Sequence, residues 1–257
     1  MISAGETALV VLAAGGAGAI NALAGGGTLI SFPTLLALGV PAVAANVTNT
    51  VALCPGYLGG TLAQRSDLRG QRRRLLFLVP AGVLGGLLGG WLLLHTGERE
   101  FRRLVPFLIL LASGLLLVQE PLRNRLRRAA AGAMAGGRSS AEAVAAFPLL
   151  LAAVYGGYFG AGLSVILLAV LGLCLDDSLH RLNAIKQAVA FSANVAAAVF
   201  FLFSGKVRWE LAGLMAVSAL AGGALGGRLA GRVRPAVLRG LVVILGTAVG
   251  LIYLFKR

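Results

Sequence analysis

The sequence predicts an all-α polytopic membrane protein of two homologous halves. Each half is a hairpin of two half-helices followed by three transmembrane helices, eight to ten helical segments in all. Three observations predict it. Hydrophobic residues make up 58% of the 257 and charged ones only 12%, about half the charge of a soluble chain. Several apolar runs approach or exceed the roughly 20 residues that one membrane helix needs. Two of those runs are interrupted by glycines at matching places in the two halves. A membrane barrel would show short alternating segments instead.

The first apolar run covers about 7–39 and contains Gly25, Gly26 and Gly27. It is too long for one span. Glycine tolerates backbone angles closed to other residues, so the triplet is where a helix unwinds at least cost. The expected result is one helix to the triplet and a second from Thr28. A broken backbone inside a membrane must face protein or a water-filled cavity. A turn at Gly39-Val-Pro41 leads to a second span, about 43–63, whose first half is polar: Asn46, Thr48, Asn49, Thr50. A loop with Arg65, Arg69, Arg72, Arg73 and Arg74 follows, and these are the first cationic side chains in the chain. The third span, about 75–95, carries Gly85, Gly86, Gly89 and Gly90, a small-residue face for close packing within or between chains. Next come a short charged turn (98–103) and a span at about 104–118.

Residues 119–144 read as a basic linker, with 1–118 the first repeat and 145–257 the second. The second repeat opens with a run at about 145–175, interrupted at Tyr155–Gly162. Its next span, about 182–204, again begins polar with Asn183, Lys186 and Gln187. Spans at about 211–228 and 237–255 complete it.

Shifting the numbering by 137 places Gly85, Gly86, Gly89 and Gly90 on Gly222, Gly223, Gly226 and Gly227, Arg102 on Arg239, and Asn46 on Asn183. Gly25 and Gly27 fall on Gly160 and Gly162 with a gap of about two. Duplicated halves with interrupted helices at equivalent positions point to a secondary transporter's midplane site. If each broken element is a hairpin, each half crosses the membrane an odd number of times and the repeat is inverted. The basic stretches 65–74, 119–144 and 228–239 then share the cytoplasmic side, as the charge rule requires, with both termini outside.

Gly25–Pro33, Leu38-Gly39 and Ala45–Thr50 resemble the first half-motif of the sulfite exporter TauE/SafE family. Tyr155–Gly162, Leu171-Gly172 and Asn183–Gln187 are similar to its second. The likeness covers nearly the whole chain. It implies a multi-pass transporter of the bacterial inner (plasma) membrane that moves sulfur-containing anions such as sulfite or organosulfonates. Gly160-Ala-Gly162 is shorter than a full glycine run, and Lys186 puts a charge where the pattern is polar and uncharged.

An oxyanion needs donors. Backbone N–H groups at half-helix starts supply them without permanent charge, which nominates Gly25, Gly26, Gly27, Gly160 and Gly162. Thr28, Ser31 and Ser164 could add hydroxyls. Asn21, Asn46, Asn49, Asn183 and Gln187 could add amides. Lys186 is the one cation well inside a polar span, either an anion ligand or a side chain that snorkels to the interface. Thr48, Asn49 and Thr50 could equally be interhelical glue.

The net charge of +14 sits in loops between spans. It is read as orientation and contact with the lipid bilayer, not nucleic acid. Cys54 and Cys174 form no metal or disulfide pattern. The N-terminus has no positive stretch before the first apolar run, so that run reads as a retained span. No metal or other cofactor is expected. His95 and His180 stand at span ends, and neither a nucleophilic triad nor a phosphate loop is present, so an enzyme is not expected. An anion channel and a structural or assembly membrane protein remain as alternatives, and a homodimer stays open.

Overall fold

In a computed structural model of the chain, residues 3–23, 26–132, 141–175, 177–229 and 235–255 are described. They form ten helices and no strand. In chain order these are α1 (Ala4–Leu23), α2 (Thr28–Ala37), α3 (Ala42–Ala63), α4 (Arg72–His95) and α5 (Glu98–Gly132). The second half supplies α6 (Ala141–Tyr158), α7 (Leu163–Cys174), α8 (Leu179–Leu202), α9 (Trp209–Leu229) and α10 (Pro235–Phe255).

Local chemistry sets the ends. At the start of α1, Ser3 and Glu6 cap each other: the Ser3 hydroxyl accepts from the Glu6 amide at 3.2 Å and Glu6 accepts from the Ser3 amide at 2.7 Å, a capping box. Helix α2 stops at Gly39, whose φ of +75° is open to glycine and lets Val40 N–H reach back to the Leu35 carbonyl. Helix α3 starts after Pro41, with its first two N–H groups, of Ala42 and Val43, donated to the Glu98 carboxylate. Ser178 caps α8 by accepting from the Arg181 amide.

Among the described residues, five helical stretches are long and apolar enough to cross a membrane: Ala4–Asn21, Arg72–His95, Glu98–Leu122, His180–Leu202 and Val237–Phe255. Helix α3, at 22 residues, has the length without the hydropathy, because of its polar first half. Large apolar side chains such as Leu84, Leu88, Trp91, Phe107, Leu117, Phe147, Val217 and Ile244 are exposed on the outside, as lipid-facing surface requires. The chain is a multi-pass membrane protein.

One segment differs from expectation. The charged turn at 98–103, the span at 104–118 and the first part of the linker are a single 35-residue helix, α5. Glu98 and Glu100 sit in its first turn, where carboxylates favour the helix start. The Leu-, Arg- and Ala-rich stretch after 119 consists of strong helix formers. The helix therefore continues to Gly132, and α6 begins at Ala141; the rest of the linker and Gly25 lie outside the described residues.

The halves interlock. Helix α4 packs on α6 and α8, and α9 packs correspondingly on α1 and α3. Helix α3 pairs with α8, and α5 with α10. Exchanging first-half helices for their second-half equivalents reproduces all of these contacts. The self-equivalent pairs are antiparallel. Along α3 and α8, Gln64 meets Asn183, Thr61 meets Gln187, and Cys54 meets Asn194. Along α5 and α10, Glu120 meets Arg239, and Ser113 and Leu110 face Gly246 and Gly250. The double-glycine face is used within the chain. A Cβ at Gly86 would strike the Ala193 carbonyl of α8, and one at Gly89 the Val154 carbonyl of α6. In the second half, a Cβ at Gly222 would strike the Gly15 carbonyl of α1.

Candidate functional site

Both glycine runs break a helix. In the first, α1 ends at Leu23 and α2 begins at Thr28, with Gly26 at φ +93° between them. Gly27 caps α2, and its N–H donates to Asn21 Oδ1 at 2.8 Å. The last turn of α1 thus ties down the start of α2. A Cβ on Gly27 would collide with the Ala17 carbonyl, so the two half-helices meet backbone to backbone. In the second, α6 ends at Tyr158 and α7 begins at Leu163. Gly160 and Gly162 have φ of +80° and +79°, left-handed values that side-chain-bearing residues rarely adopt. The Tyr155 hydroxyl donates to the Ala161 carbonyl at 2.7 Å and clamps this turn.

The two breaks converge. A Cβ on Gly26 would lie 2.5 Å from Leu116 Cδ1, and one on Gly162 would lie 3.2 Å from Leu115 Cδ1 and 3.4 Å from Ala112 Cα. Both therefore face one stretch of α5, residues 112–116. The Phe32 ring of α2 meets the Phe159 ring of the second break edge-on, with centroids 5.3 Å apart. Phe101 of α5 stands edge-on to Phe32 at 6.5 Å.

Helix α3 threads between them. Thr28, Ser31, Asn46, Thr48, Asn49 and Thr50 are all buried. The Ser31 hydroxyl donates to Asn49 Oδ1 at 2.5 Å, joining α2 to α3. Asn46 Nδ2 donates to the Tyr158 carbonyl at 2.8 Å, joining α3 to the end of α6. Thr50 is spent within α3 on the Asn46 carbonyl, and Thr48 accepts from the Arg208 amide, tying α3 to the approach to α9.

Several donors are left over. Among the described residues, the Asn49 amide nitrogen and the Thr28 and Ser164 hydroxyls donate no hydrogen bond. Nor do the N–H groups of Ala161, Gly162 and Ser164 at the start of α7.

The remaining candidates lie elsewhere. Lys186 Nζ donates to Asn183 Oδ1 at 2.7 Å, and Asn183 Nδ2 donates to Gln64 Oε1 at 2.7 Å. Gln187 faces Thr61, which donates to its backbone carbonyl. This second group sits at the C-terminal end of α3, 18 residues from Asn46, or roughly 27 Å along the helix. The sequence equivalence of Asn46 and Asn183 does not bring them together, because α3 and α8 run antiparallel.

At the same end of the bundle, Asp177 receives Arg74 and Gln71 of the first half and lies 3.6 Å from Arg181. Burial alone pushes the Asp177 carboxyl up. Hydrogen bonds from Gln71, Arg74 and the Ser178 amide, with the Arg74 charge, outweigh it and hold the group below the usual carboxylate range.

Sequence reasoning passed over Tyr158, whose role is played by its backbone carbonyl, and residues 112–116 of α5, whose plain apolar character carries no signal. Among the described residues no group of three or more His, Cys, Asp or Glu side chains could hold a metal.

The sequence model of the family described as Sulfite exporter TauE/SafE matches residues 10–253. A "Probable membrane transporter protein" of Haemophilus influenzae is 28% identical over 226 residues, covering 88% of this chain and 86% of that protein. The "Probable membrane transporter protein YfcA" of Escherichia coli K12 is 25% identical over 236 residues, covering 89% and 82%. The "Probable membrane transporter protein ORF9" of a Sinorhizobium species is 26% identical over 250 residues, covering 95% and 90%. No solved structure matches the chain.

Proposed function

The chain belongs to the sulfite exporter TauE/SafE family, and from that premise we propose that it is a secondary transporter of a small sulfur-containing anion, sulfite or an organosulfonate, across the bacterial inner membrane. The anion sits where the two broken hairpins meet, near the midplane. The observation that carries this reading is the set of unspent donors at convergent breaks: Asn49 Nδ2, the Thr28 and Ser164 hydroxyls, and the amides of Ala161, Gly162 and Ser164. Neutral donors and half-helix N-termini stabilise an oxyanion without fixing it irreversibly.

An inverted repeat underlies the mechanism. The antiparallel pairing of α3 with α8 and of α5 with α10, and the exchange-symmetric packing, support it. Rocking of one repeat against the other would then expose the breaks alternately to either side. The group of Asn183, Lys186 and Gln187 lies at the basic end. In this reading it receives the anion on the cytoplasmic side.

The test is flux of radiolabelled sulfite into proteoliposomes, with sulfate, sulfoacetate and taurine as competitors. Saturable, competitor-sensitive uptake with counterflow is the expected result, and counterflow separates a carrier from a channel. Absence of uptake under every ion gradient would remove sulfite. For topology, single cysteines at Ser66 and Val233 should react alike with an impermeant thiol reagent; opposite accessibility would overturn the inverted arrangement.

A further inference from the structure

The second break carries oxygens that an anion cannot use. Asn46 is fully buried. Its partner is a carbonyl, so the group at 2.8 Å from Tyr158 must be the amide's donor end. The other end, Oδ1, is then a buried acceptor, and it has no hydrogen-bond partner. Just beside it α6 ends. Among the described residues the carbonyls of Gly156, Gly157 and Phe159 also accept no hydrogen bond. A helix C-terminus carries partial negative charge, and a buried acceptor left unmade is costly. The break thus gathers oxygens that need a positive partner.

The kind of partner follows from what is absent from these elements. Helices α3 and α7 and residues 159–162 contain no Asp or Glu, and α6 has only Glu142 in its first turn. Neutral oxygens alone do not offset the desolvation of a divalent ion, which takes carboxylates. They do suit a bare monovalent one. We propose that the second break binds sodium between Asn46 Oδ1 and the carbonyl end of α6.

The two left-handed glycines explain how one break serves two charges. Carbonyls 156–159 close one half-helix and N–H groups 161–164 open the next, so cation and anion lie on opposite sides of the same turn. A monoanion entering with one sodium ion would cross as a neutral pair, without a buried carboxylate in any span. This coupling rests on the transport reading above; the sodium site itself does not.

The experiment is binding of ²²Na⁺ to the purified full-length protein in detergent, in choline chloride and without any sulfur anion. The expected result is saturable binding, displaced by unlabelled sodium and not by choline. Asn46→Ala should weaken it by at least about tenfold, since lesser changes around metal ligands cost that much. That variant also leaves the Tyr158 carbonyl without its donor, so a second readout uses the unaltered protein. Its Tm should rise in sodium chloride above its value in potassium or choline chloride at equal ionic strength. No saturable ²²Na⁺ binding, or one Tm in all three salts, would overturn the proposal and leave Asn46 Oδ1 to a buried water. Sodium binding without sulfite flux would discard the substrate and keep the site; flux without sodium binding would do the reverse.

Discussion

The first break is closed by its own half, whereas the second, clamped by its own Tyr155, is also held from the other half. Asn21, on the helix that ends at the first break, takes the Gly27 N–H, and the half-helices touch through glycine and alanine backbone. At the second break the chain turns through two left-handed glycines, and the groove is completed by Asn46 from the first repeat. The same kind of interruption stands in both halves of the chain. One is a tight steric joint and the other a turn through left-handed glycines.

The glycines separate the two kinds of break most sharply. Gly27→Ala should cost about 2–3 kcal/mol, because its Cβ has only the Ala17 backbone to push against. Gly160→Asn should cost less, about 1 kcal/mol, since asparagine tolerates left-handed angles, although its Cβ would stand 3.1 Å from the Gly156 carbonyl. Thermal unfolding in detergent reads both, and equal losses would show that the breaks do not differ in kind.

Asn21→Ala comes next. It leaves the Gly27 N–H without its capping oxygen, as at any helix N-cap, at about 1 kcal/mol. A Tm equal to that of the unaltered protein would mean that the first break is not held by this bond.

Ser164→Ala should leave stability within about 0.5 kcal/mol, since its hydroxyl makes no hydrogen bond among the described residues. It should nevertheless raise KM for the transported anion in the flux assay. Ser31→Ala should instead lower Tm, because its hydroxyl is committed to Asn49.

The smallest effect is expected at the basic end, where Asp177 ties the halves together. Its folded pKa lies below its unfolded one. The stability it contributes is therefore complete above the ordinary aspartate range, about pH 4, and is lost as pH falls through the lowered value. Asp177→Asn should flatten the Tm profile below about pH 4 and leave its shape near neutrality unchanged.

Much of this was legible in the sequence. Run length and glycine position located all ten helices. Polar residues at the starts of the spans at 43–63 and 182–204 marked helices that face protein. Two things were not. The charges at 98–103 read as a turn, yet they begin α5, because acidic residues suit a helix start as well as a loop. Nor could a list of equivalent residues say which ones meet. Asn46 and Asn183 occupy the same place in their repeats, but antiparallel helices carry them to opposite ends. The partner Asn46 finds is a backbone carbonyl, which no side-chain pattern announces.

The glycine contacts between α4 and α6, and between α1 and α9, cross from one half of the chain to the other. Neither repeat keeps its third span against its own hairpin; each lends it to the other. A lone repeat would expose a bare glycine groove to lipid with nothing to fill it. Each half therefore depends on the other to cover its glycine-faced span. The two halves produced as separate polypeptides should be degraded singly and rescued when produced together.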